Sequence, residues 1–293
     1  MLDRILVPLD GSRPADRILH QVRRLLRGKD AKVTLLHVRT AAEDACGHVE
    51  DLARSLASEG VRCEARIVEG DPATRIIEVA DEIDPSIIAM STHGRSGLRR
   101  FVRGSVAERV LVHARHPLLL ANPFVTERPE ELPVRRILVP LDGSELSTAV
   151  LPVVAEIAQV YGAEILLFHA LELSGLAFPS IAVALTLEDA DALLRSGADR
   201  IAGVPVRLRA ARGMAAKTII DAAVEEKADL IALTTHGHSG LSRWAYGSVA
   251  EKVLRHAPCP VIAMRTSHVP ATPADVPPTL GRHSLHPVIG RGY

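Results

Sequence analysis

The chain reads as an α/β protein made of two tandem doubly wound domains, each a five-stranded parallel sheet in the order 3-2-1-4-5 with helices on both faces. Two observations predict this. Short apolar runs alternate with stretches of helical spacing, as in βαβ units whose helices cover a parallel sheet. The two halves also repeat each other. RILVPLDGS stands at Arg4–Ser12 and, letter for letter, at Arg136–Ser144. STHGRSGL at Ser91–Leu98 returns as TTHGHSGL at Thr234–Leu241, and GSVAERVLVHA at Gly104–Ala114 returns as GSVAEKVLRHA at Gly247–Ala257. The first pair is offset by 132 residues and the other two by 143, so the second copy carries an insertion of 11, placed around Ser174–Ala190. The expected domains are 1–122 and 134–266. Between them, 123–133 is rich in Pro and Glu and reads as a linker. The stretch 267–293 is dense in Pro and Gly without periodicity and reads as a flexible tail.

In the first copy, Ile5–Leu9 is a buried strand ended by the turn Asp-Gly-Ser. Pro14–Leu26 has its apolar residues at helical spacing, through Ile18, Leu19, Val22, Leu25 and Leu26. Val33–Val38 is a strand, Val49–Leu56 a helix and Val61–Val68 a weakly alternating strand. Asp71–Ile83 opens with Asp-Pro, a helix start. Ile87–Met90 is a strand, Ser105–His113 a helix and Leu118–Ala121 the last strand. The second copy places strands near Ile137–Leu141, Glu164–Ala170, Val204–Ala210, Leu230–Leu233 and Val261–Met264. Right-handed crossovers then reverse the winding direction between strands one and four of each copy. Ligands of open α/β sheets bind in that crevice, beyond the carboxyl ends of the strands.

Composition removes several function classes. The 35 basic and 35 acidic side chains cancel, whereas a dedicated nucleic-acid binder needs a basic excess for phosphates. Aromatics are 3% of the chain, too few for a base-stacking platform. Cys46, Cys63 and Cys259 show no CxxC spacing, which argues against a disulfide framework or a structural zinc site. The opening MLDRILVPLD is not a signal peptide, and no apolar run is long enough to cross a bilayer, so the cytoplasm is the expected location and no membrane partner is expected.

The two most closely repeated loops follow strands one and four, which the topology sets side by side. Repeated strands are explained by packing; repeated polar, glycine-rich loops are explained by it much less well. After strand one stands Pro8-Leu9-Asp10-Gly11-Ser12. An acidic side chain there can accept hydrogen bonds from ribose hydroxyls or a base amine; equally, Asp10 or Ser12 can cap the next helix. After strand four come His93-Gly94, nine residues, then Gly104-Ser105 at a helix start. Outward-pointing helix N–H groups behind a glycine form a seat for phosphate; an ordinary Ser105 cap with turn glycines is the competing account. The loop between is basic in copy one (Arg95, Arg99, Arg100, Arg103). Copy two replaces it with His238, Arg243, Trp244 and Tyr246, less basic and more aromatic. No metal spacing around His93 and His236 repeats, since His236 and His238 form an HxH in copy two alone, and a metal site is not expected. There is no Walker loop, GxGxxG, GxSxG elbow or repeated Cys/His pair, so no catalytic residue is assigned.

These loops resemble those of the universal stress protein family across nearly all of Arg4–Met264. The nucleotide-binding branch of that family carries a glycine, two residues, a second glycine, nine residues, then Gly-Ser. Gly94 with Gly104-Ser105, and Gly237 with Gly247-Ser248, match the later part. Ser91 and Thr234 stand where the first glycine is expected, a departure that bears on close phosphate approach. The resemblance implies ATP as ligand, with Mg2+ as its accompanying ion. Adenine and ribose would lie near Pro8, Leu9, Asp10 and Val38, and phosphates against Gly94, Gly104, Ser105 and Val106, with Ser91 and His93 lining the loop. In copy two the matching positions are Pro140, Leu141, Asp142 and Ala170, then Thr234, His236, Gly237, Gly247, Ser248 and Val249. It also implies pairing through the last strands, either between the two copies or in a homodimer. The function implied is an ATP-binding stress-response or regulatory module with at most slow ATP hydrolysis; the alternative is an interaction protein of the same fold that binds no nucleotide.

Overall fold

The computed structural model describes residues 2–26, 30–40, 46–92, 105–125, 129, 132–172, 186–235 and 247–265. The arginine-rich and aromatic loops 93–104 and 236–246, part of the linker, most of the insertion, and the tail from 266 lie outside them, and with them the site candidates His93, Gly94, Gly104, His236 and Gly237.

The first half runs β1 (Arg4–Pro8), α1 (Arg13–Asp16), α2 (Ile18–Leu26), β2 (Lys32–Arg39), α3 (Cys46–Ser58), β3 (Arg62–Glu69), α4 (Pro72–Ile83), β4 (Ile87–Ser91), α5 (Val106–His113) and β5 (Leu118–Ala121). The second runs β6 (Arg136–Pro140), α6 (Glu145–Thr148), α7 (Leu151–Tyr161), β7 (Glu164–Leu171), α8 (Leu187–Ala198), β8 (Val206–Arg212), α9 (Ala215–Glu225), β9 (Leu230–Thr234), α10 (Ser248–His256) and β10 (Val261–Met264). Each half has the order 3-2-1-4-5, with parallel neighbours.

The two five-stranded units, expected to pair through their last strands, form one ten-stranded sheet, ordered β3-β2-β1-β4-β5-β10-β9-β6-β7-β8. The halves join where β10 pairs antiparallel with β5, through Val261–Leu120, Ile262–Leu119 and Ala263–Leu118. Both strands are apolar and end their own half-sheets, so joining satisfies two edges at once. Because the seam is antiparallel, the carboxyl ends of the two sets of strands point to opposite sides of the molecule.

Alternation along the strands feeds two core layers. Ile5, Val7, Val33, Leu35 and Leu119 pack with α2 and α3 on one face, together with Ile137, Val139 and the residues of α7 from the other half. Leu6, Leu36, Ile88, Leu118 and Leu120 pack on the opposite face with α4, α5, α9 and α10.

Several boundaries differ from the sequence reading. The single helix expected over Pro14–Leu26 is two, α1 and α2, with a step at Arg17, whose side chain donates to the carbonyl of Pro123. The third strand of the second half starts at Val206 instead of Val204, because Pro205 has no N–H and serves as an acceptor, from Ile165 N at 2.9 Å. Strands β1 and β6 both stop at the proline, Pro8 and Pro140, one residue before the expected end, although the amides of Leu9 and Leu141 still donate to Leu36 O and Phe168 O. Thr186 and Asp189 form a capping box at the start of α8, so the expected insertion region ends in a helix.

Candidate functional site

The two strands flanking each switch point part early. Among the described residues β1 and β4 are in register at Ile5–Ile87 and Leu6–Ile88, while β1 follows β2 from Arg4–Lys32 to Pro8–Leu36. The second half does the same: β6 and β9 meet at Ile137–Leu230 and Leu138–Ile231, while β6 and β7 stay paired through Pro140–Phe168. Beyond these pairs the strands share no further register, and it is at their carboxyl ends that the topology argument places a ligand.

One wall is the Asp-Gly-Ser turn. Asp10 Oδ1 accepts the amide of Ser12 at 2.9 Å, and Asp142 Oδ1 accepts the amide of Ser144 at 3.0 Å. Gly11 and Gly143 have φ of 79° and 90°, a left-handed region in which a Cβ is strained. The serines then cap the next helices: Ser12 Oγ accepts from Ala15 N at 3.3 Å and Ser144 Oγ from Ser147 N at 3.1 Å. Capping therefore belongs to the serines, and the aspartates shape the turn with one carboxylate oxygen. Leu9 and Leu141 are buried beneath it, while Val38 and Ala170, near the ends of β2 and β7, are half-buried at the same end. Pro8 is buried and Pro140 half-buried.

The opposite wall follows β4 and β9. Ser91 and Thr234 are the last, half-buried residues of these strands, facing Ala121 and Met264 in register. Each is followed by a buried threonine whose amide bonds across to the last strand: Thr92 N to Ala121 O at 2.9 Å, and Thr235 N to Met264 O at 2.9 Å. Gly247 N donates back to Thr235 O at 2.8 Å, which sets the start of α10 at the end of β9.

The helix starts are not identical. Ser105 is the N-cap of α5, and its Oγ accepts from Glu108 N at 3.1 Å. In α10 the N-cap is Gly247, without a side-chain cap bond, and Ser248 already lies inside the helix. Val106 and Val249 pack half-buried against the core layer below. Gly247 has φ of −68°, open to any residue, and a Cβ there would meet, among the described residues, one atom at an ordinary 3.6 Å, Thr235 O. Among the described residues neither backbone nor packing asks for glycine at this position.

Around this frame the halves diverge. Asp71 caps α4 through Thr74 N and takes a two-pronged bond from Arg109 of α5 at 2.9 and 2.7 Å. The Arg109 guanidinium, followed by the amide and hydroxyl of Thr74, holds the Asp71 carboxyl far below the usual carboxylate range. Met214 and Lys252 stand at the matching positions, and Met214 is 71% exposed. There α9 takes its N-terminal acceptor from Glu172, through Ala215 N at 2.8 Å.

Two residues of the site were missed by the motif reading. His37 and His169, 3% and 4% exposed, place Nδ1 at 3.0 and 2.7 Å from the carbonyls of Leu9 and Leu141. The repeat held the signal, since LLHV at 35–38 and LFHA at 167–170 share the offset of the RILVPLDGS pair. Among the described residues no cluster of three or more His, Cys, Asp or Glu could hold a metal ion, and no helix is long and apolar enough to cross a membrane.

Comparison with known proteins agrees with this arrangement. The model of the universal stress protein family matches residues 1–56, 39–122 and 133–265. A universal stress protein of Methanocaldococcus jannaschii is 32% identical over 140 residues, which cover 45% of this chain and 82% of that protein. One of Mycobacterium tuberculosis is 28% identical over 211 residues, 69% of each chain. The crystal structure of a universal stress protein from Archaeoglobus fulgidus shares the fold, with a TM-score of 0.69 at 22% identity, covering 90% of this chain and 99% of that one. With both halves matched by the family model, and the same parted strands and turn in each, the chain belongs to the universal stress protein family.

Proposed function

We propose that each half seats one adenine nucleotide, ATP, in its switch-point crevice, and that the chain acts as an ATP-binding regulatory module of the stress response, in the cytoplasm, with at most slow hydrolysis. One observation carries this reading. At both switch points the central strands share two register pairs, and the first strand is followed by an aspartate turn. The aspartate's side chain faces ribose or base chemistry, and the helix N-terminus faces phosphate.

In this reading Pro8, Leu9, Asp10 and Val38 border the base and ribose of the first seat, and Ser105 and Val106 its phosphates, with Ser91 at the strand end. Pro140, Leu141, Asp142 and Ala170, with Thr234, Gly247, Ser248 and Val249, do so in the second. His93, Gly94, Gly104, His236 and Gly237 complete the two seats by their place in the motif. Gly247, a glycine that neither its φ nor its contacts among the described residues require, supports the second seat most directly. The two seating units would be 1–122 and 134–266.

Calorimetric titration of the purified chain with ATP, with and without Mg2+, tests this after any co-purified nucleotide is measured. Two equivalents bound support two working seats, and one equivalent a diverged pair. No binding together with no co-purified nucleotide overturns the reading in favour of a nucleotide-free interaction protein.

A further inference from the structure

We infer that His37 and His169 are positioning residues that hang the Asp10 and Asp142 turns on the neighbouring strand and so hold each aspartate where a ligand meets it. This rests on the nucleotide reading of the same crevice. A backbone carbonyl only accepts, so Nδ1 of each ring carries the proton and donates to Leu9 O or Leu141 O. The amides of the same two leucines donate to Leu36 O and Phe168 O, both at 2.8 Å. Each leucine is thereby held to the second strand by both its polar groups, one step beyond the end of the first strand.

On the opposite side β1 and β6 have already parted from β4 and β9 in register. From the leucine the bonds continue in sequence. Asp10 accepts from Ser12 and Ser12 caps α1; Asp142 accepts from Ser144 and Ser144 caps α6. The histidine is the side-chain link by which the second strand reaches this series. A leucine would fill the same buried space without polar atoms. The first half instead keeps an imidazole whose Nε2 is buried with no hydrogen-bond partner among the described residues. An unpaired buried polar atom is unfavourable, and the bond to Leu9 is what the other ring nitrogen gives in return.

The test uses the full chain and its variants H37L, H37N, H169L and H169N. Asparagine places an N–H close to where Nδ1 lies; leucine places none. ATP binding is measured by calorimetry at a temperature where circular dichroism shows each variant folded, and amide hydrogen exchange is followed at Ser12 and Ser144. H37L is expected to weaken one of two ATP sites at least tenfold and to speed exchange at Ser12 at least tenfold, leaving Ser144 unchanged. H169L is expected to do the converse, and the asparagine variants to stay within about threefold of wild type. H37L and H169L chains that are folded and retain both exchange protection and affinity overturn the inference. So does a loss of melting temperature with binding and exchange intact, which would mark a purely structural role. A wild-type chain that binds no ATP overturns the nucleotide reading instead, and the exchange data alone then decide whether the histidines hold the turns.

Discussion

Arg24 of α2 and Asp229, at the entry to β9, form an ion pair at 3.2 Å across the two halves, with both side chains 2% exposed. The pair is well supplied with partners. Asp229 Oδ2 accepts the amides of Arg135 and Arg136 at 2.9 and 3.0 Å. Arg24 also donates to Leu132 O and to Gln21 Oε1, each at 3.2 Å. The matching position in the first half is Ser86, whose hydroxyl takes the amides of Asp3 and Arg4 at 3.3 and 3.4 Å. The task of holding two amides is thus common to both halves, and the buried charge pair is an addition in one of them.

Removing one partner of a buried pair leaves an uncompensated charge, at a cost of about 3–5 kcal/mol. R24M is expected to lose stability in that range by urea denaturation. The double variant R24M/D229S installs the residue the other half uses and is expected to recover most of the loss. A double variant as unstable as the sum of its singles would show that the pair's worth is not electrostatic.

Gly247 separates packing from ligand contact. G247A suits the backbone φ, and its Cβ meets Thr235 O at an ordinary 3.6 Å among the described residues, so the protein is expected to stay folded, with a cost of about 1 kcal/mol at the helix cap. Under the proposed function its second seat loses ATP affinity at least tenfold, while the first is untouched. Calorimetric stoichiometry falling from two to one would record this; unchanged binding would remove Gly247 from the phosphate seat.

The tie between Asp71 and Arg109 predicts a pH dependence. The carboxyl titrates lower in the folded chain than its ordinary 3.8, so the folded state holds this proton less tightly than the unfolded state does. Its contribution to stability is therefore fully present above about pH 4 and is lost as the pH falls through the folded value. The gap in melting temperature between wild type and D71N is expected to be largest near neutrality and to close in acid below pH 4. A gap that stays constant down to the acid limit would refute it.

Burial, and secondarily Glu64, pushes the Cys63 thiol up to about 11. Only the thiolate reacts with alkylating reagents. At pH 8 the residue is expected to be labelled about a hundredfold more slowly than an ordinary peptide thiol, by mass mapping after iodoacetamide pulses. Labelling at the peptide rate would show that the half-buried thiol meets solvent in a way the static structure does not contain.

Sequence alone determined the α/β class, the duplication and the strand order within each half. These follow from the period of apolar residues and from right-handed crossovers, both local or chiral constraints that leave a record in the residue order. It also pointed to the crevice loops, because the RILVPLDGS and Gly-Ser repeats outlast what packing demands. Tertiary structure decided what depends on meetings between distant residues. The strands of Leu119 and Ile262 read as apolar edges able to pair within the chain or between two chains, and in the structure their register joins the two halves into one sheet. The Asp-Gly-Ser turn left open whether Asp10 or Ser12 caps the helix, and the hydrogen bonds assigned capping to the serine and the turn to the aspartate. His37 belongs to none of the repeated loop motifs, and only the fold shows its bond to Leu9, because a ring's partner is set by which strand lies beside it in space. Asp229 and Arg24 carry no mutual pattern across 205 positions; only burial of both at the seam, where an unpaired charge is too costly, brings them together.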